Sequence, residues 1–333
     1  MATTYTRYVD ADSPAGGTGE DPQLSGATRA YSSLNACEAA RQAAHTGGDI
    51  TAATGDDSIE QWVCMSIDGA HSVDTAALTI NGWTTAAANY IETIAAEASR
   101  ASAVWDTTKY RLAQSMSLAE LYHRCRYLQL AGGVEWDLDL ASAPGEHTVE
   151  GCAIKGAAFG LAPFEKKNQV FNLFNNVIWN CTTGISCNAA AATGVVWNIY
   201  NNTLVDNTTH FSFDARSGGV ARVRNNLCAF GTTWTQVGTF TSSTITHNAY
   251  GQGSDPGTSG VDISGQTGAQ LFADYAGDDF HLRLPSAVRR LGVNLAGTFT
   301  TDIDRHTRPA LWDIGADQLT PRGPFVSARP ELL

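Results

Sequence analysis

The chain has 333 residues, 43% of them hydrophobic, which is ample for a large core and excludes wholesale disorder. Only 16% are charged and the formal net charge is -12, so nucleic acid would repel it unless a basic stripe were present. None is: Lys166-Lys167 and Arg289-Arg290 are isolated pairs. A surface poor in charge must be finished with Thr, Ser, Asn and Gly, which suits β structure with many turns.

The N-terminus, Met1-Ala2-Thr3-Thr4-Tyr5, has no basic region followed by an apolar run, so no secretory signal is expected. No stretch approaches ~18 apolar residues, so no membrane span is expected. Tyr5 to Val9 reads as a short strand. Asp10 to Gly26 reads as a loop, because it holds Gly16, Gly17, Gly19, Gly26 and two prolines. Ser33 to Ala44 is the clearest helix: Ser32 or Ser33 can cap it, Leu34, Cys37, Arg41 and Ala44 share one face, and Gly47-Gly48 stops it. Residues 1–58 are therefore expected to form an N-terminal cap.

Short β-type runs follow: Ile59–Ile67, Ala76–Gly82, Tyr90–Ala95, Tyr110–Met116, Arg126–Leu130, Val134–Leu140 and Thr148–Lys155. No long helical pattern separates them, which argues against a doubly wound α/β fold. The decisive feature is an internal repeat. Val170-Phe171-Asn172-Leu173-Phe174-Asn175-Asn176 matches Val196-Trp197-Asn198-Ile199-Tyr200-Asn201-Asn202 type for type. Val223-Arg224-Asn225-Asn226 and Ile245-Thr246-His247-Asn248 are shorter copies. The second Asn falls at 176, 202, 226 and 248.

A period in the low twenties built from β residues is one coil of a solenoid, with successive coils stacked at about 4.8 Å. Two interior columns are predicted: Leu173, Ile199, Val223 and Ile245, and then Ile178, Leu204, Cys228 and Tyr250. The Asn pairs are predicted to be structural corners, since Asn tolerates φ > 0 and stacked amides can bond along the column. Residues 59–253 are thus assigned to the coils, and 254–333 to a last coil and closing segment. Seven cysteines are present, with no C-x-x-C spacing, and read as buried small hydrophobes.

Four pieces of sequence carry a resemblance. Tyr8-Val9-Asp10 with Gly16-Gly17-Thr18-Gly19 and Ser32-Ser33-Leu34 is similar to a strand, glycine loop and capping helix. Trp105-Asp106-Thr107-Thr108-Lys109-Tyr110-Arg111-Leu112 resembles a strand motif of phage proteins. The Asn-Asn repeat resembles middle coils. Asp279-Phe280-His281-Leu282, Asp302-Ile303-Asp304, Arg308-Pro309 and Asp313-Ile314-Gly315-Ala316-Asp317 resemble a C-terminal closure. Arg305 and Gln318 depart from it, standing where Gly and an acid are usual. Together these resemble the right-handed parallel β-helix (pectate-lyase-like) superfamily, and within it proteins of tailed bacteriophages. The resemblance implies an all-β right-handed parallel β-helix with a helix-bearing N-terminal cap and a loop-rich C-terminal closure.

For chemistry, hydrolysis of a glycan needs two carboxyls roughly 5 to 9.5 Å apart. Glu135, Asp137 and Asp139 alternate with apolar residues on one strand and are one candidate set. Asp206 and Asp214, with His210 and Arg216, are a second. The sequence has no nucleophile elbow, no H-E-x-x-H and no phosphate loop, and no motif for a cofactor or metal. The Asp302, Asp304, Arg308 and Asp313 group is expected to pin the terminal loop. Trp179 and Trp197 are expected at coil ends or beneath a loop.

The resemblance implies a structural virion protein, made in the host cytoplasm: a head-decoration, fibre or tail-associated module bound to other virion proteins, often as a homotrimer. The alternative it implies is a tail-spike-like protein that binds or cleaves host surface glycan. Neither role calls for nucleic acid or a membrane span.

Overall fold

A computed structural model describes residues 2–67, 72–136, 143–163, 167–188, 194–215, 218–253 and 257–319. Among them the chain is mostly β, and its strands fall chiefly into three parallel sheets. The first sheet has nine strands, in spatial order Thr3–Asp10, Ser58–Met65, Ile91–Ala95, Tyr122–Arg126, Gly145–Glu150, Gln169–Phe174, Val196–Tyr200, Val220–Arg224 and Ser242–Thr246. The second has eight: Arg111–Leu112, Gln129–Leu130, Ala153–Lys155, Val177–Trp179, Thr203–Val205, Leu227–Ala229, Ala249–Tyr250 and Val261–Asp262. The third has seven: Leu78–Ile80, Met116–Leu118, Val134–Trp136, Phe159–Pro163, Thr183–Asn188, Thr209–Ala215 and Thr232–Gly238.

From Tyr122 to Tyr250 the chain visits the first, second and third sheets in strict rotation. Strands adjacent in sequence therefore never pair with each other in this region; each pairs with its counterpart one circuit away. That is how parallel pairing is achieved without crossover helices. Several expected strands are in fact two, split by a corner. Arg126–Leu130 contains the end of Tyr122–Arg126, a turn at Tyr127 (φ 60°), and Gln129–Leu130. Thr148–Lys155 breaks at Gly151, and Tyr110–Met116 breaks after Leu112. The remainder of Val134–Leu140 lies outside the described residues.

Both predicted columns are present. Leu173 pairs with Ile199, Ile199 with Val223, and Val223 with Ile245. Ile178 pairs with Leu204, Leu204 with Cys228, and Cys228 with Tyr250. Residues of all three sheets pack into one core, in which Leu173, Ile199, Val223, Ile178 and Leu204 are wholly buried. Fully burying one such side chain is worth about 1.5–3 kcal/mol, so the columns are the principal favourable term.

The two asparagines of each pair have different jobs. The first takes the left-handed backbone conformation: Asn175 (φ 57°), Asn201 (φ 50°) and Asn225 (φ 58°), with His247 (φ 57°) in the fourth copy. Gly151 (φ 64°) and Tyr127 (φ 60°) hold the same position one and two circuits earlier, respectively. The second Asn builds an amide ladder. Asn176 Nδ2 donates to Asn202 Oδ1 at 2.9 Å, Asn202 Nδ2 to Asn226 Oδ1 at 2.9 Å, and Asn226 Nδ2 to Asn248 Oδ1 at 3.0 Å. Each Oδ1 also accepts the backbone N–H of the Asn one circuit back, which water cannot reach.

The helix is Leu34–Ala44, with Ser33 accepting the Ala36 N–H at 3.0 Å as the N-cap. It buries Leu34, Cys37 and Arg41, and Arg41 reaches the wholly buried Glu60 at 2.9 Å. Thr3–Asp10 is the outermost strand of the first sheet, paired along all eight residues with Ser58–Met65. All seven cysteines are buried and unbridged.

The C-terminal segment lies along the flank of the stack rather than over its last circuit. After the strand Val261–Asp262 it holds a short helix, Gly268–Leu271, and an antiparallel pair, Phe272–Asp274 with Asp279–Leu282, joined by a 3-10 turn at Tyr275–Gly277; the rest of its described residues are loops. Leu271, Phe272, Phe280, Ile303 and Ile314 cover Val177, Trp179, Val205, Leu227 and Ala229 on the outer side of the second sheet. The middle strands of that sheet are therefore buried on both faces, and Val177–Trp179 and Leu227–Ala229 read as unbroken apolar runs. Trp179 lies beneath this segment, edge-on to Phe280, whereas Trp197 points into the interior against Phe213. The free amides of the first asparagines hold the segment: Asn175 to the Thr301 carbonyl at 2.8 Å, Asn201 to Gly315 at 2.9 Å, and Asn225 to Val293 at 2.8 Å.

Candidate functional site

A cleft of about 620 Å³ lies between the outer face of the first sheet and the loop 297–301. Alternation along each strand aims its polar residues outward, and the register stacks them. Glu92 pairs with Arg124, Arg124 with Thr148, and Thr148 with Asn172. The neighbouring column runs Ile94, Arg126, Glu150, Phe174.

Arg126 is the hub. Its Nη1 lies 3.2 Å from Glu92 and its Nε 3.3 Å from Glu150. Burial pushes the Glu150 carboxyl above its ordinary range, against the pull of Arg126 and of the Tyr127 hydroxyl, which donates to it at 3.4 Å. Burial likewise raises the Tyr127 phenol. Further along, Asn172 Nδ2 donates to Glu146 at 2.9 Å, and the Arg124 guanidinium lies 3.7 Å over the Tyr90 ring. On the far wall Phe174 stacks on Phe299, with ring centroids 5.2 Å apart. The cleft thus offers guanidinium and amide donors, carboxylate acceptors and one aromatic wall. It suits a ligand with many hydroxyls. With Arg126 between Glu92 and Glu150, the two carboxylates face a shared cation rather than an open gap.

The residues singled out from sequence lie elsewhere. Glu135 does point outward between buried Val134 and Trp136, but Ser117 and Ala162 flank it on the adjacent strands, and neither is an acid. Asp137 and Asp139 lie outside the described residues, as does Arg216. The second set is not brought together. His210 is wholly buried against Asn207, and burial lowers its imidazole to about 3. Asp214 faces outward on the third sheet. Asp206 sits at a corner (φ 51°) and accepts the Tyr275 hydroxyl at 2.6 Å, so it fastens the C-terminal segment.

Arg308, buried, donates to Asn175 Oδ1 at 2.9 Å and to the Ala316 carbonyl at 2.8 Å, and lies 5.1 Å over the Trp312 ring. Asp313 accepts the Arg290 and Leu319 amides. These residues pin the segment as expected, through backbone and amide partners. Among the described residues, Asp302, Asp304 and His306 could hold a cation, having ligand atoms within 4.8 Å of one another. Each carboxylate already has a partner: Asp302 accepts the His306 amide at 2.7 Å, and Asp304 accepts from His281 at 2.8 Å.

The cleft residues Arg124, Arg126 and Glu150, and Glu92 paired with Arg126 beside them, have no mark in the sequence. The alternation of Tyr122-His123-Arg124-Cys125-Arg126 is visible there, but the intervals between these circuits are irregular and no Asn-Asn marks their corners. No protein family, no curated protein and no solved structure matches this chain.

Proposed function

We propose that the three sheets are the faces of a right-handed parallel β-helix, and that the chain is a structural module of a bacteriophage virion. Its work is to be a stiff scaffold in a head-decoration, fibre or tail-associated position. The observation that carries this reading is the grip of Asn175, Asn201 and Asn225 on the C-terminal segment. One column of side chains turns the corners and ties down the wrap, which makes coils and flank a single rigid body. The viral attribution rests on the sequence resemblance. It is tested by quantitative mass spectrometry and antibody labelling of purified particles. A fixed copy number that co-purifies with particles is expected; a chain confined to the lysate and missing from particles overturns the reading.

A second reading, host-glycan engagement, is favoured by the cleft around Arg126. Host capsule or lipopolysaccharide fragments should bind the full chain, and Arg126→Met should abolish that binding. Release of new reducing ends or of unsaturated uronate, lost in Glu150→Gln, would turn this reading into an enzyme. Failure of every fraction to bind sinks it.

A further inference from the structure

Where the C-terminal segment crosses the flank there is a second, smaller hollow of about 210 Å³, lined from 97, 100–109 and 303–305. Three cations reach it, Arg100, Lys109 and Arg305, in a chain of net charge -12. Arg100 is held in place but left without partners. Its guanidinium lies 5.2 Å over the Tyr127 ring, its side chain is only 21% exposed, and Nε and Nη1 are buried with no hydrogen-bond partner. A guanidinium withdrawn from water and left unmatched is costly, and the cost is relieved by an acceptor. Arg305 stands at φ 67°, a left-handed conformation that favours glycine, so the chain holds a strained residue where its side chain reaches the hollow. Lys109 Nζ donates to the Arg100 carbonyl at 2.7 Å, which fixes the ammonium beside the guanidinium.

The nearby carboxylates are either engaged or loosely held. Asp304 accepts from His281 at 2.8 Å. Asp106 accepts the Thr108 amide and hydroxyl at 2.8 and 2.6 Å, and stands 4.0 Å from Lys109. Glu97 is 86% exposed on its side chain, and one of its oxygens lies 4.0 Å from Arg100 Nη1 and 3.7 Å from Arg305 Nη1, beyond hydrogen-bond length from either. The two guanidiniums therefore flank one point, and a mobile surface carboxylate only approaches it.

We propose that this hollow binds a phosphate group, with Arg100 and Arg305 as two donor forks and Lys109 as a point charge. A tetrahedral phosphate directs oxygens towards three walls at once, which a planar carboxylate does not. On binding, phosphate displaces Glu97 into solvent and bridges the coils, through Arg100 and Lys109, to the C-terminal segment, through Arg305.

Isothermal titration calorimetry of the full chain at neutral pH and low ionic strength, with inorganic phosphate and with glucose 6-phosphate, tests this. Saturable binding is expected. Arg100→Met should weaken it at least about tenfold. Glu97→Gln removes the competing carboxylate and should tighten it roughly two- to fivefold. Arg305→Gly suits the left-handed backbone, so the thermal midpoint should hold while binding weakens about tenfold, which separates loss of the site from loss of the fold. Equal binding of the two ligands assigns the site to the free ion, and tighter binding of glucose 6-phosphate assigns it to a phosphate carried on a larger molecule. No saturable binding of either, acetate bound as well as phosphate, binding indifferent to Arg100→Met and Arg305→Gly, or weaker binding by Glu97→Gln overturns the proposal.

Discussion

Replacing Asn202 with alanine removes a side chain that makes four hydrogen bonds. Its Oδ1 accepts from the Asn176 backbone at 3.0 Å and from Asn176 Nδ2 at 2.9 Å. Its Nδ2 donates to the Leu173 carbonyl and to Asn226 Oδ1, each at 2.9 Å. The Asn176 N–H, buried, has no substitute partner and carries the full penalty of about 1–3 kcal/mol; the other three bonds are worth about 0.5–1.5 kcal/mol each. The expected loss is therefore about 3–7 kcal/mol, a large part of the 5–15 kcal/mol that holds a typical domain together. Asn201→Gly, one residue away, is the control. Glycine keeps the left-handed corner, and three bonds are lost: those from Nδ2 to the Asp313 and Gly315 carbonyls, at 3.1 and 2.9 Å, and the one Oδ1 accepts from Asn225 Nδ2 at 3.0 Å. It should cost about 1.5–4.5 kcal/mol, less than Asn202→Ala, and show chiefly as faster amide exchange in 313–316. Urea unfolding followed by far-UV circular dichroism reads both. An Asn202→Ala loss below about 1 kcal/mol, or equal losses at the two positions, refutes the division of labour between the asparagines.

Other outcomes follow from the same structure. Ile199→Asp places a charge at a wholly buried position and should yield insoluble chain, while Ile199→Val should lose only about 0.5–1.5 kcal/mol; soluble, folded Ile199→Asp protein would contradict the register. Burial holds the His123, His147 and His210 imidazoles down at about 3. Folding thus favours their neutral form, and the stability this contributes is present above about 6.5 and lost as pH falls towards about 3. Denaturant midpoints at pH 7 and pH 4 should differ markedly, and His147→Gln should shrink the gap. His281 behaves oppositely: burial opposes its charge, but Asp304 at 2.8 Å and Asp279 hold it up at about 10. The stability it contributes is complete below about 6.5 and lost as pH rises through about 10, so amide exchange in 279–282 should quicken there, and His281→Gln should be insensitive.

The repeat was legible because identical corners recur: Asn176, Asn202, Asn226 and Asn248 occupy equivalent places, and only a backbone that returns to the same point needs them to. Earlier circuits use Tyr127 with Leu128 and Gly151 with Cys152 at these corners, so no pattern exposed them, and strands were read straight through the turns. The helix was legible from Ser33 and its spaced apolar face. The cleft was not, since it depends on which residues of successive circuits lie side by side. Glu92 and Arg124 meet across an interval of 32 residues, Arg126 and Glu150 across 24. Asp206 looked like a free outward acid because nothing local announces Tyr275, which reaches it from 69 residues away. The course of the C-terminal segment was likewise hidden, because it has no period and is fixed by single contacts.

That segment also sets a timetable. Asn175 is bonded to a carbonyl 126 residues further along the chain. At synthesis rates of about 5–20 residues per second, roughly 6–25 s separate the two on the ribosome. Within that interval, until Leu271, Phe272 and Phe280 follow, Val177 and Trp179 face water, with Val205 and Leu227 joining them as they emerge. The nascent chain is stickiest before this cover emerges, and a truncation short of Leu271 would leave that flank bare for good.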